Sequence, residues 1–234
     1  ILRLLYANGV PLEALLKAEP RRVWQLFAEH YHRFRGTPTG AWLDYELHEL
    51  FGVRERLSGE TAARTYDAIV EQLTSAEFRP RALFERFNIE VLATTESPID
   101  TLEHHRAIRE SGWRGRVITA YRPDVVIDPE HEQFNAALGK FAEETGEDVH
   151  SWHGYLEAHR CRRAVFAQYG ATSTDHGHPT TATADLSENE AEQLFRRVLS
   201  GQFSPADAEQ FRAQMLTEMA RMSLDDGLVL QIHP

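Results

Sequence analysis

The run Arg116-Val117-Ile118-Thr119-Ala120-Tyr121, followed by Arg122-Pro123-Asp124, decides the fold. It is short, rich in β-branched and aromatic residues, and stopped by a polar, proline-containing corner, which reads as a buried strand ending in a loop. A similar run, Asn88-Ile89-Glu90-Val91-Leu92-Ala93-Thr94-Thr95, lies upstream. Between them Ser97-Pro98-Ile99-Asp100 offers an N-cap, a proline at the first helical position and an acidic residue at the third, predicting a helix to Gly112. Downstream, helices are expected over about 129–145 and 148–169, closed by Gly146 and Gly170. Tyr169-Gly170-Ala171-Thr172-Ser173-Thr174 reads as a weaker third strand leading into Asp175-His176-Gly177-His178. Two more helices open near Ser187, where Ser187 and Glu190 form a capping box, and at Ser204-Pro205. A last strand, 228–233, carries His233 at its tip.

Strands alternating with helices predict a parallel sheet. Four in a row, each ending in polar residues, fit an α/β fold of the (β/α)8 TIM-barrel type, present in part. A doubly wound open sheet is the alternative, although no Gly-x-Gly-x-x-Gly turn follows any strand. Residues 1–87 read as helical throughout, with Pro20 to Tyr31 spaced as an amphipathic helix, a loop at Arg35–Gly40, a helix over Ala41–Phe51 stopped at Gly52, and another opened by Ser58-Gly59-Glu60-Thr61. The expected organisation is an all-helical region, 1–87, and β/α units over 88–234. The opening Ile1-Leu2-Arg3-Leu4-Leu5-Tyr6 already has the character of a helix interior, so the chain reads as the middle of a larger enzyme.

Composition narrows the function. With 42% hydrophobic and 10% aromatic residues, the 234-residue chain is expected to bury a substantial core. A formal net charge of −11 argues against general nucleic-acid binding, which neutralises phosphates with Lys and Arg. No stretch reaches the length of a membrane span and no signal peptide is evident, so a cytoplasmic enzyme with no membrane partner is expected. Cys161 is the one cysteine, which excludes an internal disulfide, and its place in a helical stretch predicts a half-buried small hydrophobe.

The residues with chemistry to offer cluster where strands end. Arg122 presents a planar, permanently charged fork suited to a carboxylate or phosphate; its structural alternative is an ion pair with Asp124 or a neighbouring strand end. Asp175 and His176 are candidates for a proton-transfer pair in which the carboxylate sets the imidazole tautomer; their alternative is a turn. His233 is placed to bind a divalent metal or to move a proton. Other histidines carry less. His30 and His32 diverge on a helix, and His150, His153 and His159 lack an acidic third ligand. His104 and His105 are expected to be partly exposed. His176-Gly177-His178 has the better spacing for a ligand pair, because extended residues two apart project to one side. No Gly-x-Ser-x-Gly elbow, phosphate loop or His-Glu-x-x-His is present.

Taken in order, these segments resemble the uronate isomerases of the amidohydrolase superfamily. Leu5-Tyr6-Ala7-Asn8-Gly9-Val10 is similar to the family's Leu-Tyr-Ser-Gln-Gly-Val, and Thr94-Thr95-Glu96-Ser97-Pro98 to its Thr-Thr-Asp-Asp-Pro. Arg122-Pro123-Asp124, Asp175-His176-Gly177 and Gln231-Ile232-His233 follow in family order. The resemblance implies a distorted barrel with a helical insertion, here covering about strands two to five. It implies reversible isomerisation of D-glucuronate to D-fructuronate and of D-galacturonate to D-tagaturonate, with a divalent metal, commonly zinc. Arg122 would help hold the sugar's carboxylate or hydroxyls, His233 would belong to the metal site or its surroundings, and Asp175 and His176 would lie near the sugar. The family's strand-one His-x-His, its Asp-His-Tyr motif and its strand-eight aspartate have no counterpart among these residues, and the Glu96-Ser97 difference bears on substrate range. A uronate sugar is the expected partner and a homo-oligomer the expected assembly. The alternatives are a metal-dependent hydrolase of the same superfamily and a non-catalytic helical interaction module on a half-barrel.

Overall fold

The computed structural model describes residues 1–233, which fall into two compact units, 1–88 and 89–233. The first unit is helical: α1 (Leu2–Ala7), α2 (Leu12–Leu16), α3 (Pro20–His30), α4 (Pro38–Tyr45), α5 (Ala62–Thr74) and α6 (Pro80–Arg86). Its core gathers Leu5, Leu15, Phe27, Tyr31, Phe34, Leu47 and Leu57. The helix expected at Ala41 starts earlier, because Thr37 accepts from the Gly40 amide and Pro38 takes the first helical position; its end runs on as a π-helical turn, Glu46–Leu50.

The second unit runs β1 (Leu92–Glu96), α7 (Glu103–Glu110), β2 (Val117–Tyr121), α8 (Asp124–Ile127), α9 (Phe134–Thr145), α10 (Trp152–Gln168), β3 (Ser173–Gly177), α11 (Glu188–Leu199), α12 (Pro205–Asp226) and β4 (Val229–His233). The four strands are parallel and lie in sequence order, β1-β2-β3-β4. One apolar core holds the unit together, with Tyr155, Phe195 and Phe211 ring against ring where α10, α11 and α12 meet. Arg163 of α10 is fully buried and pairs with Asp226 at the end of α12, Nε to Oδ2 at 2.6 Å and Nη2 to Oδ1 at 2.9 Å. The Ser187–Glu190 capping box forms as expected, and Ser204–Asp207 forms a second.

Five local expectations change. The helix expected from Pro98 starts at Glu103, after Leu102 in a left-handed conformation. Asp100 Oδ1 accepts from the Leu102 amide instead of capping a first turn. Arg162 of α10 donates to the carbonyls of Pro98 and Asp100, at 2.7 and 2.6 Å, and holds that segment out of the helix. The helix expected over 129–145 starts later, at Phe134, and the short helix α8 before it was not expected. The third strand lies four residues later than Tyr169–Thr174 predicts, since Gly170, at φ 90°, ends the preceding turn before pairing with β4 begins at Ser173. Cys161 is exposed on α10, while His105 is buried against β1, its Nε2 lying 3.0 Å from Thr94 Oγ1.

Candidate active site

Parity decides which strand residues can meet. Side chains alternate faces along a strand, and the register sets Gly177 beside His233 and Asp175 beside Gln231. Asp175, Gly177 and His233 therefore share one face at the carboxyl ends of β3 and β4. Thr174 and His176 share the other face and are buried. Tyr121, level with Thr174, marks that second face as the helix side, because its ring packs edge-on against His159 and Phe166 of α10.

The expected Asp175–His176 pair is thus split between opposite faces. His176 Nε2 lies 2.9 Å from Thr174 Oγ1, and burial pushes its pKa down to about 3, so the ring is neutral at pH 7. Asp175 meets His233 instead, with Oδ1 2.8 Å from Nδ1. Arg122, the first residue beyond β2, completes the group. Its Nε donates to Asp124 Oδ2 at 2.7 Å, its Nη2 donates to His233 Nε2 at 3.2 Å, and its Nη1 lies 3.6 Å from Asp175 Oδ2. Asp124 Oδ1 accepts from the Gly177 amide at 3.1 Å. Both structural readings of Arg122, the ion pair with Asp124 and the contact with a neighbouring strand end, are present together. The Asp124 hydrogen bond holds its guanidinium pKa further above the ordinary value.

This arrangement sets an imidazole between a carboxylate and a guanidinium. Arginine only donates, so His233 Nε2 is the acceptor and the neutral ring carries its proton on Nδ1, toward Asp175. His233 is half exposed and Arg122 nearly so, with side-chain exposures of 50% and 41%, which leaves both open to a ligand. Of the other two members, Gly177 has no assigned role in the sequence reading, and Asp124 enters it only as the structural ion-pair partner of Arg122. The arginine–aspartate spacing of two is the one local sign of Asp124's part.

A divalent metal is not supplied with a site by these residues alone. Among the described residues no group of three His, Cys, Asp or Glu side chains is placed to hold one. His233 Nε2, the nitrogen that would face a cation, faces the Arg122 guanidinium. The His176–His178 pair is buried, with ring centroids 5.9 Å apart, and His30 and His32 each turn Nδ1 to a carbonyl of their own helical segment, Leu26 and Glu29. Glu96 lies on the helix side of the sheet, where its carboxylate accepts from Thr119 Oγ1 and lies 3.8 Å from His105 Nε2. A cavity of about 970 Å³ in the helical unit, lined in part by Tyr31, Asp44, Arg54 and Arg56, contains none of the residues expected to act.

Fold and site together define an α/β protein that gathers an arginine, two aspartates and a histidine at the carboxyl ends of parallel strands, where ligands of such sheets bind. The chain belongs to the glucuronate isomerase family, whose sequence profile matches residues 2–234. It is 64% identical over 99% of its length to a uronate isomerase of Phenylobacterium zucineum and 58% identical over its full length to one of Xanthomonas euvesicatoria. The chain spans about half the length of these relatives, 50% and 52%. The crystal structure of glucuronate isomerase from Caulobacter crescentus superposes with a TM-score of 0.93 at 57% identity, covering 99% of this chain and 50% of that one. Uronate isomerase from Thermotoga maritima superposes at 0.89 and 26% identity, covering 98% of this chain and 51% of that one.

Proposed function

We propose that the protein to which this chain belongs interconverts D-glucuronate and D-fructuronate, and D-galacturonate and D-tagaturonate, and that Arg122, Asp175 and His233 act in that reaction. The observation that carries the proposal is the meeting of these three side chains on one face of the sheet, in a chain of this family. Aldose–ketose isomerisation moves a hydrogen from C2 to C1 and a hydroxyl proton from O2 to O1. An enediol route needs a base to take the C2 proton and return it at C1. His233, oriented by Asp175, is suited to carry a proton, and the Arg122 fork is suited to the uronate carboxylate. His176, neutral and on the other face, supports the sheet behind the site.

The sequential parallel order β1-β2-β3-β4 supports reading the strands as consecutive members of a (β/α)8 barrel, since a doubly wound sheet reverses its order at a switch point. A divalent metal, zinc by resemblance, belongs to the proposal as a cofactor of the whole protein and not as a group held by Arg122, Asp175 and His233. A cytoplasmic homo-oligomer completes the reading; among the described residues no helix is long and apolar enough to cross a membrane.

The test is an assay of the full-length protein for ketose formation from D-glucuronate in deuterated water, beside hydrolysis of lactones and amides. Isomerisation is expected. Hydrolysis without isomerisation would favour the metal-dependent hydrolase.

A further inference from the structure

We propose that Asp124 is a positioning residue for Arg122: anchored to the Gly177 backbone, its carboxylate fixes the direction in which the guanidinium meets the substrate's carboxylate. This rests on the isomerase reading and adds to it a residue that does not itself touch the sugar. Four observations carry it.

First, Asp124 spends both oxygens within the site. Oδ2 accepts from Arg122 Nε at 2.7 Å and Oδ1 accepts from the Gly177 amide at 3.1 Å. Second, that bridge crosses from the end of β2 to the end of β3 where little else joins them, since the two strands share the single register pair Tyr121–Thr174. Third, the inner nitrogen of Arg122 is the tightly held one. Its terminal nitrogens make the longer contacts, 3.2 Å to His233 and 3.6 Å to Asp175. An incoming carboxylate can exchange for those outer contacts while the Nε bond keeps the plane of the fork. Fourth, the packing around Gly177 leaves the clamp no slack. A Cβ at this position would lie 2.8 Å from Asp124 Oδ2, 2.9 Å from Arg122 Nη2 and 3.5 Å from His233 Nε2.

Asp124→Asn keeps the volume and one acceptor and removes the charge. In the full-length enzyme its KM for D-glucuronate should rise at least tenfold, with kcat within about threefold and the melting temperature nearly unchanged, because a mispointed fork weakens binding more than chemistry. Asp124→Glu, which restores the charge at a different reach, should recover less than half of that loss. The decisive readout is coupling: Arg122→Ala and the double variant Arg122→Ala/Asp124→Asn should share one KM, since Asp124 acts through Arg122. An unchanged KM in Asp124→Asn, or losses that add in the double variant, would overturn the proposal and leave Asp124 a structural ion pair. A wild-type enzyme that converts no uronate would instead defeat the isomerase reading, so the two failures are told apart by the wild-type assay. Should Asp124→Asn lower the yield of folded enzyme, calorimetric titration of the folded fraction with D-glucuronate gives the same comparison.

Discussion

Asp175 Oδ1 lies 2.8 Å from His233 Nδ1 and joins the tips of β3 and β4. Because Arg122 donates to Nε2 of the same ring, the neutral imidazole has one tautomer available, with its proton toward Asp175. Asp175→Asn offers the ring either an oxygen or an amide group and no longer favours that tautomer or a passing imidazolium. Steady-state isomerase assays of the full-length enzyme should show kcat lower by about 10²–10⁴-fold, with KM within a few-fold. Unaltered kcat would remove the pair from the chemistry.

His233→Ala separates proton transfer from metal binding. Both ring nitrogens are engaged, one beside a carboxylate and one under a guanidinium, so the structure favours the first role. Turnover should fall by about 10²-fold or more, while the metal content of the purified full-length enzyme, read by elemental analysis, stays at the wild-type level. Loss of metal together with activity would make His233 a ligand in the loaded enzyme.

Gly177→Ala tests the crowding at the strand ends. The φ of Gly177 is not in the left-handed region, so alanine is opposed by space and not by backbone conformation. Its methyl would push apart Asp124 and Arg122, and overpacking of this kind costs about 1–3 kcal/mol. The expected result is a modest fall in melting temperature with a much larger loss of kcat/KM. Full activity in Gly177→Ala would show that the clamp is looser than its distances imply.

Local chemistry made part of this legible in the sequence. Ser187 with Glu190, Pro205 after Ser204, and the closing glycines 146 and 170 each act within one turn, so their reading needs no tertiary partner. The candidates Arg122, Asp175 and His233 follow in the same way from strands that end in polar residues. What sequence could not supply was parity and distant partners. Asp175 is next to His176 along the chain, yet only the β3–β4 register shows that it faces His233. The capping signal at Ser97–Asp100 is sound by itself and is overridden by Arg162, more than sixty residues away. In sequence His159 reads no differently from the other helical histidines, yet Tyr121 Oη lies 2.7 Å from its Nδ1 inside the core.

Arg163 and Asp226 set the base from which β4 carries His233. Asp226 Oδ1 also accepts from the Leu228 amide, just before the strand. Partial burial opposes the Asp226 charge, but the Arg163 hydrogen bonds outweigh it and hold the pKa below the ordinary value. Arg163→Met leaves the carboxylate without its partner and should cost about 3 kcal/mol in chemical denaturation. Adding Asp226→Leu should restore part of that loss, since a buried pair replaced by apolar groups is often near neutral. Equal stability of the single variant and wild type would show that water serves Asp226 as well as Arg163 does.

The buried histidines predict an acid sensitivity that begins above the carboxylate range. His176 has no exposed surface and a pKa of about 3 in the folded protein, against about 6.5 unfolded. Burial, then the nearby Arg163 charge, holds His159 well below 6.5 as well. A depressed histidine is neutral when folded, so its contribution is complete above pH 6.5. Below that the unfolded chain takes up a proton that the folded one refuses, and stability falls by about 1.4 kcal/mol per pH unit for each such group. For His176 the loss continues to about pH 3. Asp226, with a lowered carboxylate pKa, adds its own loss only at lower pH. Urea denaturation of the full-length enzyme between pH 7 and pH 5 should therefore show declining stability. In His176→Gln, whose amide can still reach Thr174, the decline should be shallower by about one proton's worth. Parallel slopes for wild type and variant would mean that the folded protein protonates His176 without difficulty, through an opening of the helix face that the packed structure does not offer.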